Sequence, residues 1–327
     1  MSKFNLLFIS ITLIFHSVWL FAVEDKNNSY IQKFYDSIII EPFVSQQKLE
    51  LRFESTETGS TQRIDYKPNI KTNAGFSASY KSFGGAVSWN NGATALDNTV
   101  YGKSDYIDFQ FSFYGSKFGI DAVYQKYKKF YLDDPKKFYS LWQAADPYPQ
   151  REDLRIDKYF TNLIYVFSHD KFSLRAAVNQ TEKQLKNAGS FLLITSASFV
   201  DIKSNYSLIP ASHEKYFTEI AGFTGGEFIG IALAPGYAYS FVWKNFYFTP
   251  YIFFGPNIVY QRYEVTEGKK TSVSGGAKGI LRLGTGYNGD KFFAGIYWNV
   301  DSATNKQKEV SVGSSSMAFK IFCGSRF

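Results

Sequence analysis

The sequence predicts an all-β fold: an antiparallel transmembrane β-barrel of 12 or 14 strands, preceded by a signal peptide. Three observations carry this expectation. The chain closes on an alternating run, with Met317, Phe319, Ile321, Cys323, Ser325 and Phe327 on one face and Ala318, Lys320, Phe322, Gly324 and Arg326 on the other. It opens on an uncharged apolar stretch of export type. Between the two, aromatic residues make up 19% of the chain while charged residues still reach 20%.

At the N-terminus, Lys3 is the only charge before Glu24, Leu6 to Phe15 is mostly apolar, and Leu20 and Ala22 occupy the −3 and −1 positions of a cleavage point after Ala22. Residues 1–22 are therefore expected to be removed on export. The alternative is a retained anchor, since Phe4 to Ala22 runs without a charge and about 20 residues span a bilayer. Val23 to Asp36 is expected to be a short periplasmic segment before a barrel over 37–327. No later stretch approaches the length of a spanning helix, so further membrane embedding must be by strands. At the other end, the terminal Phe327 marks an assembly signal read by the barrel-assembly machinery.

The 33 Phe and 24 Tyr exceed what a soluble domain hides without a large core. A barrel sets them against lipid and in interfacial girdles. The net charge is +7, but the cations are scattered or grouped in loops, as at Lys126, Lys128 and Lys129. That is the pattern of solvated loops and of contacts with anionic lipid headgroups, not of a nucleic-acid face. A single cysteine excludes an internal disulfide and any multi-cysteine metal site.

The period-2 signal is clearest from Asp105 to Tyr124. Ile107, Phe109, Phe111 and Phe113 alternate with Asp108, Gln110 and Ser112. After the turn Tyr114–Lys117, Phe118, Ile120, Ala122 and Tyr124 alternate with Gly119, Asp121 and Gln125, with Val123 the one apolar exception. Phe172, Leu174, Ala176 and Val178 against Ser173, Arg175, Ala177 and Asn179 read as another strand. Near 232–243 one face carries mainly small residues, as a tight lumen requires. Near 292–300 both faces hold aromatics. Phe109, Phe111, Ile120 and Leu174 are thus expected to face lipid, and Asp108, Asp121 and Arg175 to face inward.

Tight turns are expected at 81–83, 114–117, 168–171, 244–245 and 288–290. Long polar connections are expected near 91–104, 131–153, 204–226, 264–273 and 302–309. Short turns on one side and longer loops on the other are the habit of outer-membrane barrels. A count from about residue 37 finds thirteen obvious strands, and an odd number cannot bring both ends of the barrel to one side. Either a strand lies between His213 and Phe223, giving 14, or one N-terminal segment stands outside the ring, giving 12.

The chain also resembles the DUF4421 family of bacterial proteins, a domain of unknown function. The resemblance is carried by Ser29-Tyr30-Ile31 with Phe34 and Asp36, Tyr66-Lys67-Pro68-Asn69 leading to Gly75 and Tyr80-Lys81, and Tyr106-Ile107-Asp108 to Tyr114-Gly115. Gly119-Ile120-Asp121 with Tyr127-Lys128, Arg175-Ala176-Ala177 with Gln180, and Ala188-Gly189-Ser190-Phe191-Leu192-Leu193 continue it. Ser207-Leu208-Ile209-Pro210 and Pro235-Gly236-Tyr237-Ala238-Tyr239 complete it. It implies an outer-membrane type of barrel and no activity.

Catalytic chemistry is weakly supported. His169 stands beside Ser168 and Asp170, and His213 beside Glu214, but triads are recognised by geometry and not by adjacency, so no enzyme, cofactor or metal site is expected. The paired glycines at 84–85, 225–226 and 275–276 lack the Lys-Ser/Thr of a phosphate loop and read as bulges or close packing. The informative set is the inward polar one: Asp108, Gln110, Asp121, Gln125, Arg175 and Arg282. It is either a charge-paired filling of a narrow lumen or a constriction that selects a small solute. Two functional readings follow: a channel or transport protein, and a structural or adhesin-like barrel acting through its external loops. The expected partners are outer-membrane lipid, the assembly machinery and a small solute.

Overall fold

The structure is a computed structural model that describes residues 29–56, 59–90, 92, 94–305 and 310–327. The expected export signal with its cleavage point at Ala22, and positions 306–309 of the last expected loop, lie outside the described residues. The strands are β1 (Ile31–Lys33), β2 (Ile38–Ser55), β3 (Gln62–Lys67), β4 (Asn73–Tyr80), β5 (Phe83–Asn90), β6 (Asp105–Tyr114), β7 (Phe118–Leu132), β8 (Gln150–Val166), β9 (Glu182–Gln184), β10 (Ala188–Lys203), β11 (Gly225–Trp243), β12 (Phe246–Val265), β13 (Gly268–Asn288), β14 (Phe292–Asn305) and β15 (Val310–Arg326).

Twelve of them close an antiparallel ring in the order β2, β4, β5, β6, β7, β8, β10 to β15. The ring is completed where Ile321 stands opposite Val44 and Arg326 opposite Ile39. Closure leaves no strand edge unpaired, the condition for a sheet to cross lipid. Successive side chains alternate between the two faces of a strand, and in β6 this sets Phe109 and Phe111 outward and exposed while Tyr106, Asp108 and Tyr114 are buried inward. The outward faces form an apolar band. Phe248, Ile252, Phe254 and Ile258 carry it along β12. Tyr80, Tyr165, Trp243 and Phe292 edge it on one side, and Trp89, Tyr159 and Tyr260 on the other. Beyond the second edge the outward positions become charged, with Arg155 paired to Asp157 and Arg262 to Glu227. A band flanked by aromatic girdles is the signature of a transmembrane barrel.

At the end beside the first girdle the turns are short. Lys81 and Lys244 take positive φ there, at 54° and 56°. The two ends of the ring also meet there, the Ile38 and Phe327 backbones exchanging two 2.9 Å hydrogen bonds. The opposite end carries the connections 91–104, 133–149 and 204–224. The 264–273 region, expected as a long loop, is instead a tight hairpin. β12 and β13 stay paired to Val265↔Gly268, because alternation continues above the membrane with polar residues outside.

Two further expectations are corrected. No strand lies in 213–223, which holds 3₁₀ turns at Ala211–Tyr216 and Thr218–Ile220, so the ring has twelve strands. The 172–179 segment is not in the wall either. The chain after β8 folds back into the lumen over 167–187, with a helical turn at Arg175–Val178 and β9 paired to β1. Leu174 is therefore buried inside and does not face lipid, and Arg175 belongs to a plug and not to a strand. Alternation misled here because an element inside a barrel has no lipid face. Ser173, Leu174, Arg175, Ala176 and Ala177 are all buried.

β3 and β4 are one strand interrupted at 68–72. Both pair with β2, through Leu51↔Tyr66 and Ser45↔Asn73, so six steps on β2 face seven on the broken strand. Pro68, which lacks a backbone donor, marks the break. Above it the β5–β6 hairpin has ended, and β3 pairs directly with β7 through Tyr66↔Leu132. The ring thus narrows from twelve strands to ten at its outer end. The 91–104 connection packs over this step and is held by buried Asn69, whose side chain donates to Leu96 O and Gly102 O and accepts from Leu96 N.

Candidate functional site

The lumen is filled at both ends. At the short-turn end Phe172 and Leu174 of the plug pack with Tyr114, Ile164, Tyr251 and Phe253 of the wall. The plug is fastened by polar contacts. Arg175 meets Glu182 at 3.2 Å and donates to Ser82 Oγ at 3.0 Å. Ser173 Oγ donates to Glu182 Oε2, and Arg326 Nε and Nη2 reach Gln180 O at 3.1 and 2.7 Å. At the outer end, Leu208, Ile209, Phe217, Ile220 and Phe223 fold inward onto Phe53, Ile64 and Leu154.

Between these seals the inward faces turn polar. Strand register aligns Ser77, Ala86, Gln110, Val123, Phe160 and Ser198 in one row across six neighbouring strands. All six retain accessible surface although they point inward, and Gln110 is exposed. The adjoining row towards the outer end, Ser88, Asp108, Gln125 and Lys158, is buried. The lumen therefore holds a chamber at this level, less tightly filled than the row beside it.

Asp108 is 0% exposed. Its Oδ2 accepts from Gln125 Nε2 at 2.7 Å and from Gln47 Nε2 at 3.4 Å, with the Tyr106 hydroxyl 2.9 Å away. Gln47 Oε1 accepts from Tyr106, Gln125 and Tyr127 at 2.6, 2.8 and 3.1 Å. On the far side of the chamber Asp121 accepts from the Tyr114 hydroxyl and lies 3.7 Å from Arg282 Nη1. Lys278 meets Asp301 at 3.1 Å and Lys320 meets Glu41 at 2.5 Å. Lys158 is only 8% exposed, and among the described residues no carboxylate lies within ion-pair distance of it. Taking an ion out of water costs several kcal/mol unless partners compensate, and the compensation here is the longer-range attraction of Asp301.

The six residues singled out from sequence divide accordingly. Asp108 and Gln125 belong to one cage, Asp121 and Arg282 form a loose pair across the lumen, Gln110 faces the chamber, and Arg175 lies apart in the plug. Gln47, Lys158, Lys278, Asp301, Glu41 and Lys320 were missed. Registration is the signal for Lys158, which stands opposite Gln125; the other five pair with none of the residues found, as Glu41 stands opposite Ser77 and Lys320 opposite Ser45. His169 Nδ1 is buried without a hydrogen-bond partner.

A closed antiparallel ring with a lipid-facing band, a two-ended filling and a charged inner chamber defines a transmembrane β-barrel with a plugged polar lumen. The family model described as "Domain of unknown function (DUF4421)" matches residues 23–327, and the chain belongs to that family. No curated protein matches it. Among solved structures it is similar to the outer membrane protease OmpT from Escherichia coli, at 8% identity and a TM-score of 0.42 over 92% of this chain and 100% of that one. The translocator domain of the autotransporter NalP from Neisseria meningitidis gives 10% and 0.41 over 98% and 97%. The toluene transporter TodX from P. putida gives 9% and 0.30 over 89% and 90%.

Proposed function

We propose that this chain is a bacterial outer-membrane barrel that passes a small polar solute through a lumen gated at both ends. The observation that supports this most is the set of inward charged groups Lys158, Lys278, Arg282, Asp121 and Asp301 gathered beside the chamber between two apolar seals. A barrel that only needs filling is served better by apolar side chains, because buried ion pairs are often no more stable than their hydrophobic replacements. In this reading residues 1–22 are an export signal cut after Ala22, residues 23–36 lie on the periplasmic side, and Phe327 is read by the assembly machinery. No catalytic role is assigned.

Conductance in planar bilayers tests the proposal. The wild-type barrel is expected to show rare, brief steps. A double variant that unfastens both seals, Glu182→Ala with Asp153→Ala, is expected to raise the open time at least tenfold, about 1.4 kcal/mol of gating free energy. If both proteins are folded and silent, the transport reading fails. A surface-interaction role then takes its place, for which the 90% exposed Leu141 of the outer connection is the supporting feature.

A further inference from the structure

We propose that the chamber is a binding site for a small oxyanion, a carboxylate or a phosphate, held by Lys158, Lys278 and Arg282. This deepens the transport reading by naming a substrate class for the same site. Its basis is a count of donors and acceptors. Lys158 Nζ, with three hydrogens, has no carboxylate within ion-pair distance among the described residues and feels Asp301 only at longer range. The buried Nε of Arg282 has no acceptor at all. The carboxylates nearby are already engaged. Asp121 takes the Tyr114 hydroxyl on one oxygen and a long 3.7 Å contact from Arg282 on the other. Asp301 is bound to Lys278 at 3.1 Å and is also the charge nearest in effect to Lys158. It stands within electrostatic reach of Arg282 as well. Three cations thus share two carboxylates, and the unfilled requirement is for an acceptor carrying negative charge.

The three cations project from two well-separated strands, Lys158 from β8 and Lys278 and Arg282 from β13. An anion with several oxygens can accept from both sides at once, and charge-assisted hydrogen bonds are about twice as strong as neutral ones. Gln110 and Ser198, which keep accessible surface in the chamber row, add neutral donors beside them. A cation is a poorer fit. Among the described residues the one fully buried carboxylate oxygen without a hydrogen-bond partner, Asp108 Oδ1, lies in the buried row, and its twin Oδ2 is walled by the Gln47 and Gln125 amides.

The test uses the full barrel refolded in detergent micelles with inorganic phosphate, acetate or chloride at one ionic strength. A ligand that binds only the folded state raises the unfolding midpoint in proportion to its affinity. The wild-type midpoint is expected to rise with phosphate or acetate relative to chloride, and the larger response identifies the oxyanion chemistry. Lys158→Met should weaken the apparent affinity at least about tenfold, or 1.4 kcal/mol. Lys48→Met, on the exposed outer face of β2, should respond like wild type. Should Lys158→Met not fold, Lys278→Met must show the same loss. Equal midpoints in all three anions, a larger rise with chloride, or an undiminished response in the lumen variants would overturn the site. Bilayer steps without an anion response remove this site and leave the pore. An anion response without steps removes the transport reading and keeps the site.

Discussion

Gln110 and Phe111 are neighbours in sequence and stand in different solvents. Phe111 is 39% exposed on the lipid-facing side, against Phe83, while Gln110 opens onto the chamber. Phe111→Arg is expected to cost ~2–4 kcal/mol of folding stability where the site lies near the bilayer midplane. Gln110→Arg should cost much less, because that side chain meets water and carboxylates. Urea unfolding in lipid vesicles measures both, and equal costs would mean that the register is wrong. The same contrast explains what could be read at this scale without coordinates. Asp108, Gln110, Asp121 and Gln125 interrupt strongly apolar runs, so their inward direction is legible. Lys158 follows Arg155 and Asp157, which point outward above the membrane. Polarity there marks both faces, and only pairing with Gln125 shows that Lys158 is inside.

The elements that close the lumen depend on a few polar fastenings. Arg151 grips Asp153 with two 2.9 Å hydrogen bonds and donates at 2.8 Å to both Tyr206 O and Ser207 O, while Asp153 accepts from Asn205 N at 2.8 Å. These residues lie beyond the aromatic edge of the band. The hydrogen bond from Arg151 is the main cause that holds the Asp153 carboxyl down to about 2, below its ordinary range. A depressed carboxyl contributes stability that is fully present above its unfolded value, ~3.9. That contribution is lost as pH falls through about 2, and its size is on the order of 2 kcal/mol. The outer seal is therefore expected to loosen between about pH 4 and 2. Amide hydrogen exchange over 204–208, corrected for intrinsic rate, should accelerate in that window, and Asp153→Asn should show the fast exchange at neutral pH. Unchanged protection in the variant would remove the fastening role. Hairpins such as β6–β7 were legible as elements because their turns and alternation agree. The plug was not, because burial on every side abolishes the contrast between faces. The β3–β4 break at 68–72 was not legible, because it depends on pairing with β2 on both sides of Pro68.

For the molecule as a whole, closure rests on the last strand. Phe327 is 70% exposed, and its contribution to the finished ring is the backbone exchange with Ile38. Arg326 before it ties the ring to the plug through Gln180 O. Deleting Phe327 is expected to lower the amount of barrel assembled in the outer membrane several-fold while export across the inner membrane continues. Heat-modifiable migration of outer-membrane fractions reads this out. Assembly at wild-type level would make Phe327 an ordinary strand-end residue.

Barrel diameter grows roughly linearly with strand number. Where β3 pairs with β7 and the ring drops to ten strands, the cross-section falls to about 70% of its value in the membrane. The molecule is built like a funnel whose spout is made of main chain. On the transport reading, the upper size limit for a solute is then set by hydrogen-bonded backbone, which side-chain exchange in the outer loops can obstruct but cannot widen.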